Sequence, residues 1–450
     1  MTPDLSDAAA RLAAGRASAV DLLEHSLAMA DAEANRYTFV RRFDDAARAA
    51  ARQADEARRA GARQPLAGLA ITVKDLFDVA GAPTTAASRV LADAPAAAQD
   101  APAVARLRAA GATILGHTNM TEFAFSGVGI NPHYGTPPNP VTASLDPSPR
   151  IPGGSTSGGA VSVATGAAWA ALGSDTGGSV RIPAALQGLV GFKNTQRLTP
   201  LDGTVPLSTT LDTACAITRT VRDAILVHEI LAQRRVTLSH APLAARRLAL
   251  PSTAMIDALE PAVAQAFERT VGRLRAAGAA VVEMPCAPLE QLSTLQAGGG
   301  FAAAEAWAWH RRMMSAREGD YDPRVAARIR RGASMSAADY IDLIRARCGW
   351  IDTMGQWLHG FDAAISPTLP VVAPPLQPLI DDDERFFATN ALLLRNPSVV
   401  NLLDGCGVSL PCHRTGDWPV GLMVWAPALQ DDAVLDIALQ IEDCLAADAA

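Results

Sequence analysis

The sequence contains almost no lysine. Lys74 and Lys193 are the only lysines among the 39 basic residues of the 450-residue chain, so arginine supplies nearly all of the positive charge. The basic residues are scattered along the chain, and the formal net charge is −7. A protein with this charge distribution has no broad attraction to phosphate backbones or to anionic lipid. We therefore do not expect nucleic acid or a membrane surface as a partner.

Cysteine is also scarce and follows no metal-binding or redox pattern. The six cysteines include no CxxC pair, and no histidine lies at zinc-site spacing. Buried free thiols in a reducing cytoplasm are the simplest interpretation. The first residues are acidic where a secretory leader is basic, and apolar stretches such as residues 160–172 fall short of the roughly 20 residues that a membrane helix needs. These features predict a cytoplasmic protein without a membrane span.

Apolar residues make up 49% of the chain, enough for a substantial core. Residues 1–60 show the spacing of surface helices, and residues 66–235 alternate strand-like and helical segments. Residues 289–357 form a predominantly helical insert, which we expect to act as a wall or a lid of a pocket. The sequence shows no linker that would divide it, so we expect one large α/β domain over residues 1–450.

The densest chemical signal consists of two Gly-Gly-Ser clusters. They end at Ser155 and Ser179, and they follow a long irregular segment, residues 126–155, that we expect to border an active site. Glycines let the backbone from Thr176 through Gly177 and Gly178 to Ser179 curl so that successive N–H groups face one point, as an oxyanion requires. Ser179 is therefore our candidate nucleophile.

A serine nucleophile needs a base, and no histidine lies in either cluster. Lysine is the alternative base in serine hydrolases, provided that burial lowers its pKa far enough to leave it uncharged. Lys74 ends the apolar run AITVK, so it is the lysine best placed for this role, although a solvent-reaching lysine at a strand end is the common case. We expect structural contacts for Lys193. A phosphate-binding loop is disfavoured because neither cluster fits a known phosphate motif.

These motifs resemble the amidase signature family. The resemblance rests on VKD, GGSTSGG, GSDTGGSVRIPAA and GFKNT, on the 24 positions between the two cluster serines, and on similar segments from about Leu66 to the end of the chain. It implies a central mixed β-sheet covered by helices on both faces. It also implies a catalytic triad of Ser179 as nucleophile, Ser155 as proton relay and Lys74 as base, with a cis peptide bond before Ser155. This chemistry needs no metal or organic cofactor.

The resemblance leaves the substrate open. We expect a monomeric or homodimeric amidase acting on small apolar or aryl amides, because an apolar Ile182 stands where the glutaminase subunits of tRNA-dependent amidotransferases typically carry glutamine. Carbamate or ester hydrolysis, as in a urethanase, uses the same catalytic groups and remains an alternative, as does the amidotransferase subunit itself. Phe125 and Gly127 follow a predicted strand at residues 113–115, and they are our candidate substrate-binding residues.

Overall fold

The computed structural model describes residues 4–446, and these residues form a single α/β domain around one mixed sheet. The sheet has eleven strands in the order β1-β3-β2-β4-β6-β5-β10-β11-β9-β7-β8. The strands are β1 Phe39–Arg42, β2 Ala70–Lys74, β3 Thr113–Thr118, β4 Ala170–Ser174, β5 Val190–Lys193, β6 Ala214–Thr218, β7 Arg247–Pro251, β8 Ala280–Met284, β9 Ala363–Pro367, β10 Cys406–Pro411 and β11 Gly421–Ala426.

Sixteen α-helices are present in the described residues, together with short 3₁₀ turns. They are α1 Leu5–Ala13, α2 Ala19–Ala30, α3 Asp44–Arg59, α4 Pro102–Ala109, α5 Ser157–Thr165, α6 Arg181–Leu186, α7 Val221–Ala232, α8 Pro261–Ala276, α9 Leu292–Leu295, α10 Gly300–Arg317, α11 Pro323–Arg330, α12 Ala337–Trp357, α13 Gln377–Asp381, α14 Asp383–Arg395, α15 Pro397–Leu402 and α16 Asp431–Ala446. Within residues 4–446, no helix is both long and apolar enough to cross a membrane.

Helices cover both faces of the sheet, as expected. Successive side chains of a strand point to opposite faces, so neighbours in one strand report on different layers. In β11, Val424 packs in a hydrophobic cluster with α16, whereas Trp425 packs in a second cluster with residues of α12 and α15. The same division separates Ile365 from Ala364 in β9. This double burial explains why several strands have continuous apolar sequences rather than alternating ones.

The catalytic motifs are positioned by the centre of the sheet. Strand β2 pairs in parallel with both β3 and β4, so the carboxyl ends of these three strands lie at the same edge. Lys74 is the last residue of β2, and Ser174 is the last residue of β4. The loops that follow therefore bring distant parts of the chain together at that edge.

Candidate active site

Lys74 lies at the centre of the site, and its side chain is completely buried. Its Nζ lies 2.7 Å from Ser155 Oγ, 2.9 Å from Ser174 Oγ and 3.3 Å from the carbonyl oxygen of Ser174. The alternative sequence interpretation, a lysine reaching solvent from the end of a strand, is thus wrong. The amine is instead surrounded by hydroxyl groups and one carbonyl group.

This environment favours the uncharged amine. Burial lowers the pKa of Lys74 to about 7, against the smaller opposing effects of Cys215, Asp175 and Asp212. A neutral amine has two N–H donors and one lone pair. The Ser174 carbonyl can only accept a hydrogen bond, and the Ser174 hydroxyl can accept the second. The lone pair is then free to accept a proton from the Ser155 hydroxyl.

Ser155 and Ser179 lie on adjacent backbone segments. The Gly154–Ser155 peptide bond is cis, as the resemblance implied. The N–H of Thr156 donates to the carbonyl oxygen of Ser179 over 3.2 Å, which joins the two glycine-rich clusters. Ser155 is fully buried, whereas Ser179 lines a cavity. The serine that borders the cavity is therefore the one whose hydroxyl a substrate can reach.

The loop from Thr176 to Ser179 adopts the curled conformation that its glycines allow. Gly178 has φ +126°, and a Cβ at this position would lie 2.5 Å from Pro397 Cβ, so only glycine fits. Its N–H donates to Asp175 Oδ1 over 2.8 Å. This N–H is one of the four that we predicted as oxyanion donors, and it is therefore already occupied. Among residues 4–446, the N–H groups of Thr176, Gly177 and Ser179 have no acceptor. Three donors thus remain for a ligand.

A buried ion pair holds this loop in place. Asp175 and Arg181 are both fully buried, with Arg181 Nη2 2.9 Å from Asp175 Oδ1. Asn401 joins them, since its Nδ2 donates to the Asp175 carboxylate and its Oδ1 accepts from Arg181. Burial would raise the pKa of Asp175, but the Arg181 guanidinium holds it well below its usual value. Asp175 is thus a structural acceptor. Lys193 is also structural, because it donates to the backbone carbonyls of Asn194 and Gly405.

A cavity of about 660 Å³ opens beside Ser179. The loop with Thr176, Gly177 and Ser179 lines part of it, and residues 289–302, α11 and residues 387–402 line much of the rest. The helical insert therefore forms a wall of the pocket. Apolar side chains dominate this lining, among them Leu207, Leu211, Leu289, Leu292, Phe301 and Leu402.

The two pocket candidates from the sequence have different outcomes. Phe125 lines the cavity. Gly127 does not line the cavity. It packs against Ile182, since a Cβ added at Gly127 would lie 2.9 Å from Ile182 Cδ1, and its N–H donates to Asn390 Oδ1. Ile182 is also outside the cavity lining, in a hydrophobic cluster with Val128. The expected effect of Ile182 on a polar substrate contact is therefore wrong, since this side chain faces the core.

Two polar residues of the site were missed in the sequence. Ser174 contacts Lys74, and its position directly before Asp175 in the second glycine-rich motif could have indicated this. Asp212 accepts hydrogen bonds from Thr176 Oγ1 and from the N–H groups of Leu207 and Ser208. Burial raises the pKa of Asp212 to about 6 despite these donors. Nothing in the segment around Asp212 signals this contact, because it depends on the pairing of β6 with β4.

The family model described as Amidase matches residues 21–435. The match begins well before Leu66, where we expected the resemblance to start. The chain belongs to the amidase family. It is 36% identical over 385 residues to a 2-amino-5-chloromuconic acid deaminase of Comamonas testosteroni, covering 84% of this chain and 82% of that protein.

Two further relatives support the same family. A glutamyl-tRNA(Gln) amidotransferase subunit from Salinispora tropica is 33% identical over 426 residues, covering 84% of each chain. A crystal structure of an amidase superposes with a TM-score of 0.88 at 34% identity, covering 98% of this chain and 99% of the other. This amidase-family protein is accordingly a hydrolase of carbon–nitrogen bonds other than peptide bonds, acting on amides.

Proposed function

We propose that the protein hydrolyses small amides with an apolar or aryl group, through an acyl-enzyme formed on Ser179. The observation that carries the proposal is the 2.7 Å contact between Ser155 Oγ and the fully buried Lys74 Nζ. A lysine with a pKa of about 7 is partly uncharged at neutral pH, so it can serve as a base. Ser155 is the relay, because its hydroxyl contacts the amine.

The proposed reaction has two halves. Neutral Lys74 accepts the proton of Ser155 as Ser155 accepts that of Ser179, and Ser179 Oγ forms a bond to the substrate carbonyl carbon. The C–N bond then breaks, and the proton returns through Ser155 to the leaving nitrogen. Water attacks the resulting ester, and the same relay carries its proton to Lys74 and then back to Ser179 Oγ. The products are a carboxylic acid and an amine.

The negative oxygen of each tetrahedral intermediate is stabilised by backbone N–H groups. Thr176, Gly177 and Ser179 are the proposed donors, because their N–H groups have no acceptor within residues 4–446 and all three residues border the cavity. Gly178 contributes by its conformation, since its own N–H is bound to Asp175. Preorganised donors of this kind typically lower a reaction barrier by roughly 3–4 kcal/mol each.

The apolar lining of the cavity supports an apolar or aryl group on the substrate. We propose that the protein works without partner subunits, as a monomer or homodimer. A reducing cytoplasm is the proposed compartment, because all six cysteines are free in residues 4–446.

The glutaminase alternative predicts glutamine turnover only with partner subunits. The carbamate and ester alternatives predict turnover of aryl carbamates or esters above that of matched amides.

The test combines labelling with a substrate panel. A fluorophosphonate should add its mass to Ser179, located by peptide mass spectrometry, and Ser179→Ala should abolish both the label and turnover. Ser157→Ala is the matched control, because Ser157 is a buried serine at the start of helix α5 and its loss should leave labelling intact. Labelling at Ser155 or Ser157 would overturn the assignment. The panel contains aryl amides, aliphatic amides, glutamine and aryl carbamates, and we expect the aryl amides to react fastest.

A further inference from the structure

The N–H of Thr176 belongs to the peptide group that joins Asp175 to Thr176. A peptide group is planar, so its N–H direction is fixed when its carbonyl oxygen and the residue that follows are both held. The carbonyl oxygen of Asp175 accepts a hydrogen bond from Asn401 Nδ2 over 3.1 Å. The direction of this proposed oxyanion donor therefore depends on what holds Thr176 itself.

The side chain of Thr176 is held by Asp212. Its Oγ1 donates to Asp212 Oδ1 over 2.6 Å, and within residues 4–446 this is the only hydrogen bond that Thr176 makes. A threonine side chain is stiff because it branches at Cβ, so a fixed hydroxyl restrains the backbone that carries it. Thr176 is only 5% exposed and Asp212 only 6%, so there is little room for water to replace the bond.

Asp212 is in turn oriented by its own segment of the chain. The N–H of Leu207 donates to its Oδ2 over 2.9 Å, and the N–H of Ser208 lies 3.0 Å from both carboxylate oxygens. The N–H of Asp212 donates back to the carbonyl oxygen of Ser208 over 2.7 Å. Residues 207–212 thus form a closed turn that presents Oδ1 to Thr176. The same turn supplies part of the cavity lining.

Glu305 of helix α10 ties this turn to the helical insert. Its Oε2 accepts from Ser208 Oγ over 2.8 Å, from Thr209 Oγ1 over 3.1 Å and from the N–H of Thr210 over 3.0 Å. Its Oε1 accepts from the hydroxyl groups of Thr210 and Tyr340. Three consecutive residues of the turn therefore bind one carboxylate, and these contacts use both of its oxygens.

We propose that Asp212 and Glu305 are positioning residues for the reaction. Asp212 holds Thr176 so that its N–H points at the oxyanion, and Glu305 holds the turn that presents Asp212. The inference rests on the proposed function, in which the Thr176 N–H stabilises the tetrahedral intermediate. The helical insert thereby contributes to the reaction step as well as to the wall of the pocket.

Loss of this support has a kinetic signature. An oxyanion donor is effective when it lies about 2.7–3.1 Å from the position that the negative oxygen will occupy. A displacement of about 1 Å lowers a reaction rate by about a hundredfold. The carbonyl oxygen of the bound substrate carries little negative charge, so the loss falls on the transition state. The expected result is a lower kcat with a nearly constant KM.

The first experiment removes only the hydroxyl group of Thr176. Thr176→Val keeps the shape of the side chain, and its kcat for an aryl amide should fall by about 10- to 100-fold with KM within about twofold of wild type. Thr176→Ser keeps the hydroxyl and should recover most of the activity. Thr113→Val is the matched control, because Thr113 is a fully buried threonine whose hydroxyl has no partner among the described residues. A wild-type kcat in Thr176→Val would overturn the inference.

A double-mutant cycle assigns this effect to Asp212. Asp212→Ala should lower kcat at least as far as Thr176→Val, and adding Thr176→Val to it should lower kcat by less than about threefold more, since both changes remove one hydrogen bond. Asp212→Asn should restore part of the activity, because its amide can donate to the Thr176 hydroxyl. Losses that multiply in the double variant would show that the two residues act independently and refute the assignment.

Glu305 is tested with a transition-state analogue. The carbonyl carbon of an aryl trifluoromethyl ketone bonds to Ser179 Oγ and leaves a negative oxygen among the donors. In Glu305→Met, the Ki of this ketone should rise by about tenfold or more. The calorimetric Kd of the matched amide, measured with Ser179→Ala also present, should change by less than about threefold. Glu268→Met is the control, because Glu268 is an exposed glutamate of helix α8. Equal changes in Ki and Kd would show a merely structural role and refute the positioning role of Glu305.

Failure of the proposed function gives a different result from failure of this inference. Absence of a fluorophosphonate label on wild-type Ser179 would contradict the proposed function. A labelled Ser179 together with wild-type kcat in Thr176→Val would contradict only the positioning roles. Circular dichroism identifies any variant that loses its fold. If Asp212→Ala does so, Thr176→Val, Thr176→Ser and Asp212→Asn still decide the question.

Discussion

The pH dependence of hydrolysis tests the role of Lys74 directly. If the uncharged amine is the base, kcat/KM should follow the neutral fraction of Lys74, whose pKa burial lowers to about 7. Below this pH the amine is protonated and cannot accept the proton of Ser155. Activity should therefore rise with pH and reach a plateau somewhat above neutrality.

The magnitude follows from the same pKa. With a pKa of about 7, about half of the amine is neutral at pH 7, about one tenth at pH 6 and about one hundredth at pH 5. An unperturbed lysine would be neutral in only roughly one molecule in a few thousand at pH 7. Burial thus raises the population of active base by about three orders of magnitude at neutral pH.

The assay measures initial rates from pH 5 to pH 9 with an aryl amide, and unfolding is monitored at each pH. Lys74→Met is the matched variant, because it keeps the length of the side chain without a titratable group, and its kcat should fall by about 10³-fold. A wild-type profile that stays flat down to pH 5, or that rises only near pH 10, would refute the reasoning.

Four further outcomes are expected. The free energy of unfolding of Lys74→Met, relative to that of the wild type, should increase as the pH falls from about 10 to about 7. In that pH range Lys74 binds a proton in the unfolded wild type but not in the folded one, so the wild type loses stability. Urea unfolding at several pH values measures the difference. Ser155→Ala should retain weak activity, lowered by about a hundredfold or more but detectable in a kcat assay, whereas loss as complete as in Ser179→Ala would argue against a relay. Gly178→Ala should lower kcat by at least about a hundredfold while the fold is retained, because the new Cβ would collide with Pro397 and move the loop that carries the oxyanion donors. A kcat equal to that of the wild type would contradict this. Arg181→Met should lower the free energy of unfolding by about 3–5 kcal/mol, because it leaves the buried Asp175 carboxylate without its partner. A change below about 1 kcal/mol, measured by urea denaturation, would contradict this prediction.

Local patterns in the sequence were sufficient for several elements. The strand that ends at Lys74 was expected from its apolar run AITVK, and the structure places β2 at Ala70–Lys74. The predicted strand at residues 113–115 extends to Thr118. Strand β4, by contrast, was hidden, because its sequence AALGS continues the apolar, small-residue composition of helix α5 before it. Only its pairing with β2 and β6 makes that segment a strand.

The site shows the same division between local and long-range information. Ser155 and Ser179 were identified from motifs in which each residue lies beside its glycines. The cavity could not be derived in this way, because it combines the loop at Ser179 with α11 and α14, more than a hundred residues later in the chain. Ile182 shows the limit of local sequence information. Its position in the second motif suggested a substrate contact, but the packing of α6 directs its side chain into the core.

The origin of the cavity walls has a practical consequence. The reacting groups are fixed by the sheet and by the Asp175–Arg181 pair, while a large part of the cavity lining belongs to α9, α10, α11 and α14. Substrate preference and reaction chemistry are thus encoded largely in separate stretches of the gene. Libraries confined to codons 289–331 and 387–395, which keep Glu305 and leave Pro397 and Asn401 beside the donor loop unchanged, should yield catalysts with new selectivity at little risk to turnover.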